Sequence, residues 1–183
     1  MENNLNQEKM NIKISLATPD DAQAINELRY KTWLVTYPNE ELGITVDDIH
    51  DRFKDIASEE TIQKGKEYLK QTVDRQTLVA KDLNKLIGFC ACVKSEEKNQ
   101  LQAIYILPEY QRKGIGKQLW KEALDFFDKE KDTFVEVAEY NSSAIKFYES
   151  LGFKDYGKRI RNEHYELKGG AIIPEMEMVI KAR

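Results

Sequence analysis

The order of strand and helix patterns in the middle of this sequence constrains its fold more than any other feature. Two short apolar runs, Gln76 to Ala80 and Leu86 to Val93, flank a polar turn and predict a β-hairpin. A third strand, Leu101 to Leu107, precedes a helical pattern from Lys117 to Lys129 and a further strand, Thr133 to Ala138. Hairpins pair antiparallel strands, whereas a strand–helix–strand unit pairs parallel ones. The sequence therefore predicts one mixed sheet covered by helices.

Patterns on either side of this block extend the prediction to a mixed, mostly antiparallel sheet of six to seven strands. The additional elements are a strand from Ile12 to Leu16, a helix from Thr18 to Tyr37, helices from Thr45 to Phe53, Ser58 to Gln71 and Ser142 to Leu151, and strands from Arg161 to Leu167 and Glu175 to Lys181. Gly169-Gly170 is predicted as a hairpin turn between the last two strands. We expect a single domain over residues 11–183, preceded by a flexible polar tail, residues 1–10.

Composition and charge exclude several classes of function. The chain has 183 residues, with 28 basic and 32 acidic side chains, so its formal net charge is −4. A nucleic-acid-binding protein usually carries net positive charge or a basic stripe, so we expect no nucleic-acid partner. No apolar run approaches the roughly 18 residues of a membrane span, and residues 1–10 lack the apolar core of a secretory signal. The sequence therefore predicts a cytoplasmic protein without a membrane segment.

Cys90 and Cys92 are the only cysteines, and the two histidines, His50 and His164, lie far from them in sequence. At positions i and i+2 of a strand, the two thiols share one face, and so short a spacing disfavours a mutual disulfide. A zinc site needs more ligands in proximity than this pair offers. We interpret the pair as buried thiols in a reducing cytoplasm and expect no metal.

The segment YQRKGIG, residues 110–116, joins a predicted strand to the following helix. Its Gly-x-Gly turn exposes backbone N–H groups where the helix dipole begins, and this combination binds anions. Positive charge is concentrated here without an intervening acid, in the set Arg112, Lys113, Lys117 and Lys121. The segment lacks the complete glycine patterns of a Walker A loop and of G-x-G-x-x-G. It predicts a pyrophosphate site, with a glycine turn and solvated lysines as the alternative.

Two longer runs carry a resemblance to a known family. IYILPEYQRKGIGKQLWKEAL contains a Q/R-x-x-G-x-G/A loop after an apolar strand, and VEVAEYNSSAIKFYESLGFK contains an N-x-x-A-x-x-F-Y-x-x-x-G-F helix. In this order and at this separation they resemble the GNAT acyltransferase superfamily. RYKTWLVTYP and GGAIIPEMEMVIK look like a bacterial branch of small-molecule N-acetyltransferases. The resemblance implies the GNAT fold, with a splayed strand pair at an acetyl-CoA site, and an acetyl-CoA-dependent N-acetyltransferase.

The resemblance assigns acetyl-CoA-binding roles to residues of both runs. Backbone N–H groups would hold the CoA pyrophosphate in the segment formed by Gln111, Arg112, Lys113, Gly114, Ile115, Gly116 and Lys117. Ile104, Tyr105 and Ile106 would pair with the pantetheine amides as an added strand does. A backbone N–H near Ile106 would polarise the acetyl carbonyl. Asn141 would hydrogen-bond to the pantetheine arm.

Tyr148 is implied as the general acid that stands near the thioester sulfur. Attack of an amine on a thioester expels a thiolate, and the pKa of the resulting thiol is not far below that of a phenol. A tyrosine hydroxyl can therefore protonate it. The residues alone leave an alternative open, in which Tyr148 is a core aromatic packed with Ile145, Phe147 and Leu151.

The general base is less defined. Many relatives carry a glutamate on the strand before the glycine turn, but the corresponding stretch here, residues 100–103, has no carboxylate. Glu136 and Glu139 on the later strand, and His164, are candidates. A water chain, or a substrate that arrives deprotonated, would need no base.

The acceptor is predicted from charge and aromatic residues. Residues 39–60, which we call the acidic segment, contain Glu40, Glu41, Asp47, Asp48, Asp51, Asp55, Glu59 and Glu60. In the family this region overhangs the acceptor site, so an acidic rim would attract a cationic amine such as a polyamine. The alternative is a solvated surface. Tyr30, Trp33, Tyr37 and Glu136 are candidate acceptor-binding residues, with core packing as the alternative for the aromatics.

Three functions remain open at this stage. The first is N-acetylation of a small-molecule amine by acetyl-CoA, and the second is N-acetylation of a protein or peptide. The third is a CoA-binding sensor without catalysis, which retention of Tyr148 and Asn141 disfavours. The helices between residues 38 and 72 would narrow an open peptide groove, which favours the first function. The resemblance also allows a homodimer.

Overall fold

A seven-stranded sheet forms the centre of the protein in the computed structural model, which describes residues 10–161 and 166–182. The strands are β1 Ile12–Leu16, β2 Arg75–Asp82, β3 Lys85–Lys94, β4 Asn99–Ile106, β5 Thr133–Ala138, β6 Lys154–Ile160 and β7 Glu175–Ile180. Their spatial order is β1-β2-β3-β4-β5-β7-β6, and among these described strands β4 and β5 alone run parallel. The predicted mixed, mostly antiparallel sheet is confirmed.

Helices cover both faces of the sheet. They are α1 Ala22–Thr36, α2 Val46–Arg52, α3 Glu59–Tyr68, α4 Ile115–Ala123 and α5 Ser142–Leu151. Apolar residues of α1 pack against Phe89 and Ala91 of β3, whereas α4 and α5 pack against Cys90 and Cys92 on the opposite face. This division follows from the alternation of side chains along a strand. Both cysteines are buried free thiols, with 3.6 Å between the sulfur atoms.

Helix α4 is displaced from its predicted bounds, Lys117 to Lys129. It begins at Ile115, because Gly114 adopts a left-handed conformation (φ 82°) and caps the helix directly. It ends at Ala123, and a turn replaces the predicted last turns. The fully buried Asn99 holds this region: its amide donates to the carbonyls of Asp128 (2.8 Å) and Lys131 (3.2 Å). A distant side chain thus ends the helical pattern earlier than local periodicity predicts.

The predicted strand from Arg161 to Leu167 falls mostly on residues that the structure does not describe. A strand that was not predicted lies earlier, at Lys154–Ile160, because Gly152 (φ 102°) ends α5 and the buried Phe153 returns the chain to the sheet. β6 is an edge strand whose residues are mostly exposed, so it lacks the apolar alternation that identifies a strand. Residues 162–165 lie outside the described part, and Leu167 instead closes a turn by hydrogen-bonding to Ala171 (2.8 Å).

Strands β4 and β5 pair over a short stretch and then separate. Asn99–Leu101 lie beside Thr133–Val135, and the described strands show no pairing beyond that point. The next residue, Gln102, is an extra residue in the ladder, since Leu101 lies opposite Cys92 while Ala103 lies opposite Ala91. Such a β-bulge bends and twists its strand. β4 therefore turns away from β5, which confirms the predicted splayed pair.

Within 10–161 and 166–182, no helix combines the length and the apolar character needed to cross a membrane. In the same ranges, no group of three or more His, Cys, Asp or Glu side chains is placed to hold a metal ion.

Candidate active site

A cavity of about 800 Å³ occupies the gap between β4 and β5. This volume lies within the range of typical small-molecule sites. Its wall contains most of the predicted site residues, namely Tyr37, Ile104, Tyr105, Ile106, Gln111, Arg112, Gly114, Ile115, Gly116, Lys117, Glu136, Asn141 and Tyr148. The splay therefore brings both sequence motifs to one place. We call the part between β4 and α4 the glycine-loop end and the part around Tyr37, Tyr140 and Glu136 the tyrosine end.

The glycine-loop end presents backbone donors. Arg112 (φ 58°) and Gly114 (φ 82°) both have left-handed backbone, a geometry that turns successive N–H groups toward one side. Gln118 makes the first hydrogen bond of α4, to the carbonyl of Gly114 at 3.1 Å, so the preceding N–H groups have no intrahelical partner. The side-chain amide of Gln111 donates to the carbonyl of Ile106 (3.1 Å) and fixes the loop to the end of β4.

The two glycines of the loop have different surroundings. A Cβ at Gly114 would meet no atom within 4 Å, so this position faces open space. A Cβ at Gly116 would lie 2.9 Å from the ring of Phe147 on α5. Gly116 therefore allows α4 and α5 to pack closely, whereas Gly114 is favoured by its left-handed backbone conformation.

Tyr148 is a buried residue of the cavity wall. Its ring packs edge-on against Phe153 and at a tilt against Phe147. Burial, with smaller contributions from Tyr105 and Cys90, raises the pKa of Tyr148 well above that of a free phenol. The hydroxyl therefore remains protonated at neutral pH. It makes no hydrogen bond to any other residue within the described ranges, so it is able to donate into the cavity.

Asn141 serves as the N-cap of α5. Its side-chain oxygen accepts a hydrogen bond from the N–H of Ala144 at 3.0 Å. The side-chain oxygen is thus engaged, and the Nδ2 group is the part of Asn141 that can bind a ligand. One residue therefore combines a structural role with a free donor in the cavity wall.

A hydrogen-bonded aromatic cluster forms the tyrosine end. The hydroxyls of Tyr37 and Tyr105 lie 3.1 Å apart, and the indole N–H of Trp33 donates to the Tyr105 hydroxyl (3.2 Å). Tyr140 donates to the carbonyl of Tyr37 (2.8 Å). Trp33 is therefore behind the wall, and it orients Tyr105. Tyr30 also lies outside the wall, with its hydroxyl 2.7 Å from Nδ1 of His50.

The candidate bases have different surroundings. Glu136 is exposed in the cavity wall. Glu139 accepts a hydrogen bond from the guanidinium of Arg161 (2.9 Å), which holds the pKa of Glu139 below its usual range. That ion pair disfavours Glu139 as a proton acceptor. His164 lies outside the described residues. Lys113 is not in the wall; its ammonium group lies 5.1 Å from the ring centroid of Tyr110.

The acidic segment does not border the cavity. None of its eight acids is in the wall that the described residues form. Asp48 has a structural role: its carboxylate accepts hydrogen bonds from the hydroxyl of Thr45 (2.6 Å), the N–H of Thr45 (2.9 Å) and the N–H of Gly169 (2.7 Å), which together lower its pKa. Asp51 pairs with Lys54 (3.4 Å) and Glu60 with Lys64 (2.6 Å). Part of the charge of this segment is therefore already neutralised.

Sequence reasoning missed two residues of the tyrosine end, Tyr140 and Glu175. Tyr140 immediately precedes the Asn141 motif, and its adjacency to that motif is a usable signal. Glu175 begins β7, opposite Ala138 of β5. Alternation along Glu175–Ile180 would have placed it on one face of the sheet, but the neighbouring strand was not predictable from local pattern.

Comparison with known proteins identifies the family. Residues 46–153, more than half of the chain, match the profile of the Acetyltransferase (GNAT) family. The chain belongs to the GNAT acetyltransferase family. This is the family that the two sequence motifs indicated.

Curated relatives match little more than a third of this chain. The [Ribosomal protein bS18]-alanine N-acetyltransferase of Escherichia coli K12 is 36% identical over 69 residues, which cover 37% of this chain and 45% of the relative. The N-alpha-acetyltransferase RimI of Mycobacterium tuberculosis is 34% identical over 70 residues, which cover 38% of this chain and 42% of the relative. The chain thus spans less than half the length of these relatives.

Solved structures share the fold over nearly the whole chain. The PaiA N-acetyltransferase of Thermoplasma acidophilum, solved in complex with coenzyme A, has a TM-score of 0.69 and 24% identity and covers 94% of this chain and 99% of its own. The ribosomal-protein-S18-alanine N-acetyltransferase of E. coli has a TM-score of 0.63 and 21% identity, with coverage of 93% and 94%. At such identities the likeness establishes the fold.

Proposed function

We propose that this acetyltransferase transfers the acetyl group of acetyl-CoA to a primary amine of a small molecule, with cationic amines of the polyamine type as the leading class. The supporting observation is the cavity itself, which joins an anion-binding glycine loop to a carboxylate and a tyrosine cluster, with Tyr148 between them. A single site with these two ends suits a reaction between an anionic donor and a cationic acceptor.

The glycine-loop end fits the pyrophosphate of CoA. The N–H groups around Gly114 lack intrahelical partners, and no Cβ obstructs that position. Arg112 and Lys117 border the cavity without an ion-pair partner among the described residues. Free N–H groups, a helix N-terminus and cations together bind phosphates. We assign the pyrophosphate to residues 111–117.

The splayed strand and Asn141 fit the pantetheine arm. Past the bulge, the edge of β4 at residues 104–106 has no partner in β5. An extended amide-containing chain can pair with such an edge. The Nδ2 group of Asn141 adds a donor from the opposite wall. When bound, acetyl-CoA supplies an acetyl group activated as a thioester, and a backbone N–H near Ile106 is the proposed donor to its carbonyl oxygen.

The remaining roles belong to Tyr148 and Glu136. The protonated, buried hydroxyl of Tyr148 donates a proton to the departing sulfur. Glu136 is the proposed proton acceptor for the incoming amine, because it is exposed in the wall and has no ion-pair partner among the described residues. Tyr37 and Tyr140 would hydrogen-bond to the acceptor. Because the acidic segment does not border the cavity, the proposal of a cationic acceptor rests on Glu136, Tyr37 and Tyr140.

A second acceptor class is a peptide N-terminus. The observation that favours it is the similarity to ribosomal-protein alanine and N-alpha-acetyltransferases, each at least 34% identical over about 70 residues. That similarity covers 37–38% of this chain and less than half of each relative. We therefore rank the small amine first.

Thiol release from acetyl-CoA tests this proposal. The full chain is incubated with a panel of monoamines, diamines, polyamines and peptides with free N-termini, and mass spectrometry locates the acetyl group. We expect turnover with primary amines and the highest kcat/KM with those carrying a second positive charge. Turnover confined to peptides would select the second class, and the absence of turnover with all of them would overturn the proposal.

We also propose that the protein is cytoplasmic and forms a homodimer. The two buried, unbonded thiols, Cys90 and Cys92, support a reducing compartment. Gel filtration with light scattering would measure the oligomeric state in solution.

A further inference from the structure

Glu175 lies beside the proposed acceptor site but outside the cavity wall. It is the first residue of β7 and lies opposite Ala138 of β5. Directly opposed residues of an antiparallel pair share a face, and so do residues two apart on one strand. Glu175 and Glu136 are therefore on the same face of neighbouring strands. Glu175 is half-buried, whereas Glu136 is exposed in the cavity wall.

The pair differs from the other carboxylate on this face, Glu177. Glu177 lies opposite Glu136 and is buried, but it pairs with Lys158 (3.4 Å) and Lys98 (3.9 Å). Neither Glu136 nor Glu175 has an ion-pair partner or a hydrogen-bond donor among the described residues. Two nearby carboxylates that make no direct ion pair repel each other, and such a pair binds a proton or a cation readily.

The charged and titratable groups around Glu175 come from three other elements. Glu136 contributes from β5, Arg52 from the end of α2, and Tyr37 and Tyr140 from the cavity wall. From β6, the residue opposite Glu175 is the apolar Ile160. Arg52 is the opposing charge, and its guanidinium lies 5.0 Å from the ring centroid of Trp33.

We propose that Glu175 is a positioning residue that forms a proton-sharing pair with Glu136 and thereby accepts the proton of a cationic primary amine. This inference rests on the proposed function. The N–H bond of the ammonium group breaks, its electron pair stays on nitrogen, and an O–H bond forms on Glu136. Glu175 shares that proton, and the neutral amine attacks the thioester. The second N–H proton of the amine replaces the one that Tyr148 gives to the departing sulfur. The proton held by the pair passes to water after the product leaves, so the overall reaction releases one proton.

The electrostatics of the site support this role. Burial raises the pKa of Glu175 to about 7, the charge of Glu136 adds to the increase, and Arg52 opposes it. Below this pH, Glu175 already holds a proton and cannot share the proton that Glu136 takes from the amine. Above it, the Glu175 carboxylate is free to share that proton. The acetylation rate should therefore fall as the pH decreases through about 7.

Burial and the charge of Glu175 also raise the pKa of Tyr140 to about 12, and burial, Tyr105 and Glu175 raise that of Tyr37. Both hydroxyls are therefore protonated across the working pH range. They can orient the acceptor by hydrogen bonds without competing for its proton.

The pH profile of kcat/KM with spermidine tests the inference, comparing wild type with Glu175→Gln and Glu177→Gln. The amine groups of spermidine have pKa values well above 7. Their titration therefore gives a steady slope in the pH profile of kcat/KM and no break near pH 7. We expect a break near pH 7 in wild type and in E177Q, which removes an ion-paired carboxylate of the same strand and face. E175Q should lose the break and be about tenfold slower at pH 8. A break retained in E175Q would overturn the inference.

Carboxyl titration by NMR provides a readout that needs no turnover. In protein labelled at the glutamate carboxyl carbons, Glu175 should titrate near pH 7, as its environment predicts. Glu136→Gln should shift this titration to lower pH, and Glu177→Gln should leave it unchanged. Titration of Glu175 in the ordinary glutamate range, or no response to Glu136→Gln, would overturn the pair. Absence of turnover with every amine would reject the proposed function, while this titration would still decide whether the pair exists.

Discussion

The two ends of the cavity are built in different ways. The glycine-loop end consists largely of backbone: the N–H groups around Gly114 and the free edge of β4, all within residues 104–117. The tyrosine end consists of side chains that come from the end of α1, from β4, from β5 and from the turn before α5. Local sequence determines the first end, whereas packing of distant segments determines the second.

This difference explains why the binding site of the acetyl donor can be predicted from sequence more readily than the binding site of the acceptor amine. A backbone site needs glycine at fixed spacing and a following helix, and both leave a contiguous motif. A side-chain site requires only that Tyr37, Tyr105 and Tyr140 meet, and their separation in sequence has no fixed value. The following predictions test whether the glycine-loop end determines acetyl-CoA binding and the tyrosine end determines acceptor recognition. They are given in order of decreasing expected effect.

Tyr148→Phe should have the largest effect, because Tyr148 stands between the two ends. Removal of a general acid typically lowers the rate by about 10²- to 10⁴-fold. The ring would still pack against Phe147 and Phe153, so stability and acetyl-CoA affinity should change little. Steady-state kinetics, calorimetric titration and thermal unfolding measure the three quantities. If Tyr148→Phe turned over at the wild-type rate while the chemical step was shown to be rate-limiting, Tyr148 would be a core aromatic and not the general acid.

Gly114→Asp should weaken acetyl-CoA binding by more than about tenfold, which is roughly 1.4 kcal/mol. Asp tolerates the left-handed backbone of Gly114 and is a favourable N-cap, so the fold should persist while the added charge repels the phosphates. Gly114→Asn is the matched control, with the same shape and no charge. Gly116 is less suitable for this test, since a Cβ there would contact Phe147 at 2.9 Å.

Calorimetric titration with acetyl-CoA compares the two variants. The Gly114→Asn variant should bind acetyl-CoA much more tightly than the Gly114→Asp variant. This difference in affinity should shrink as salt is added, since the repulsion is electrostatic. Equal affinities for Asp and Asn would show that the loop does not face the phosphates.

The sequence predicted the fold well wherever local signals determine the structure. β5 and α5 have their predicted bounds, because alternation marks Thr133–Ala138 and the Asn141 cap and Gly152 mark the ends of α5. The errors at α4 and β6 have non-local causes, namely the buried amide of Asn99 and the exposure of an edge strand. Glu175 was missed for the same reason, since its role depends on which strand lies beside it.

Asn141→Ser should separate the two roles of this residue. Serine also caps helices, so α5 should keep its stability, but the Nδ2 donor is lost. A neutral hydrogen bond contributes about 0.5–1.5 kcal/mol, so KM for acetyl-CoA should rise by roughly 2- to 12-fold. Asn141→Ala removes the cap as well and should lower the free energy of unfolding by about 1 kcal/mol. If Ser and Ala variants have wild-type KM, Asn141 is a cap alone.

Charge reversal in the acidic segment should have the smallest effect. Glu40, Glu41 and Asp47 are exposed and lie outside the cavity wall. Their influence on a cationic amine crosses solvent, where the Debye length is about 8 Å at physiological salt. The triple lysine variant should therefore raise KM for spermidine by no more than about twofold, an increase that added salt removes. Asp48 is left intact, because its reversal would break the cap of α2 and the bond to Gly169.

A neutral-tailed amine of similar length is the control for that variant, and its KM should not change. We propose that the charge of the acceptor is recognised by Glu136 and Glu175 on the sheet rather than by the surface helices, and an unchanged KM for the control would support this. A tenfold or larger rise in KM for spermidine alone would contradict this. It would place acceptor recognition in residues 39–60 and would mean that a charged surface, and not the tyrosine end, selects the amine.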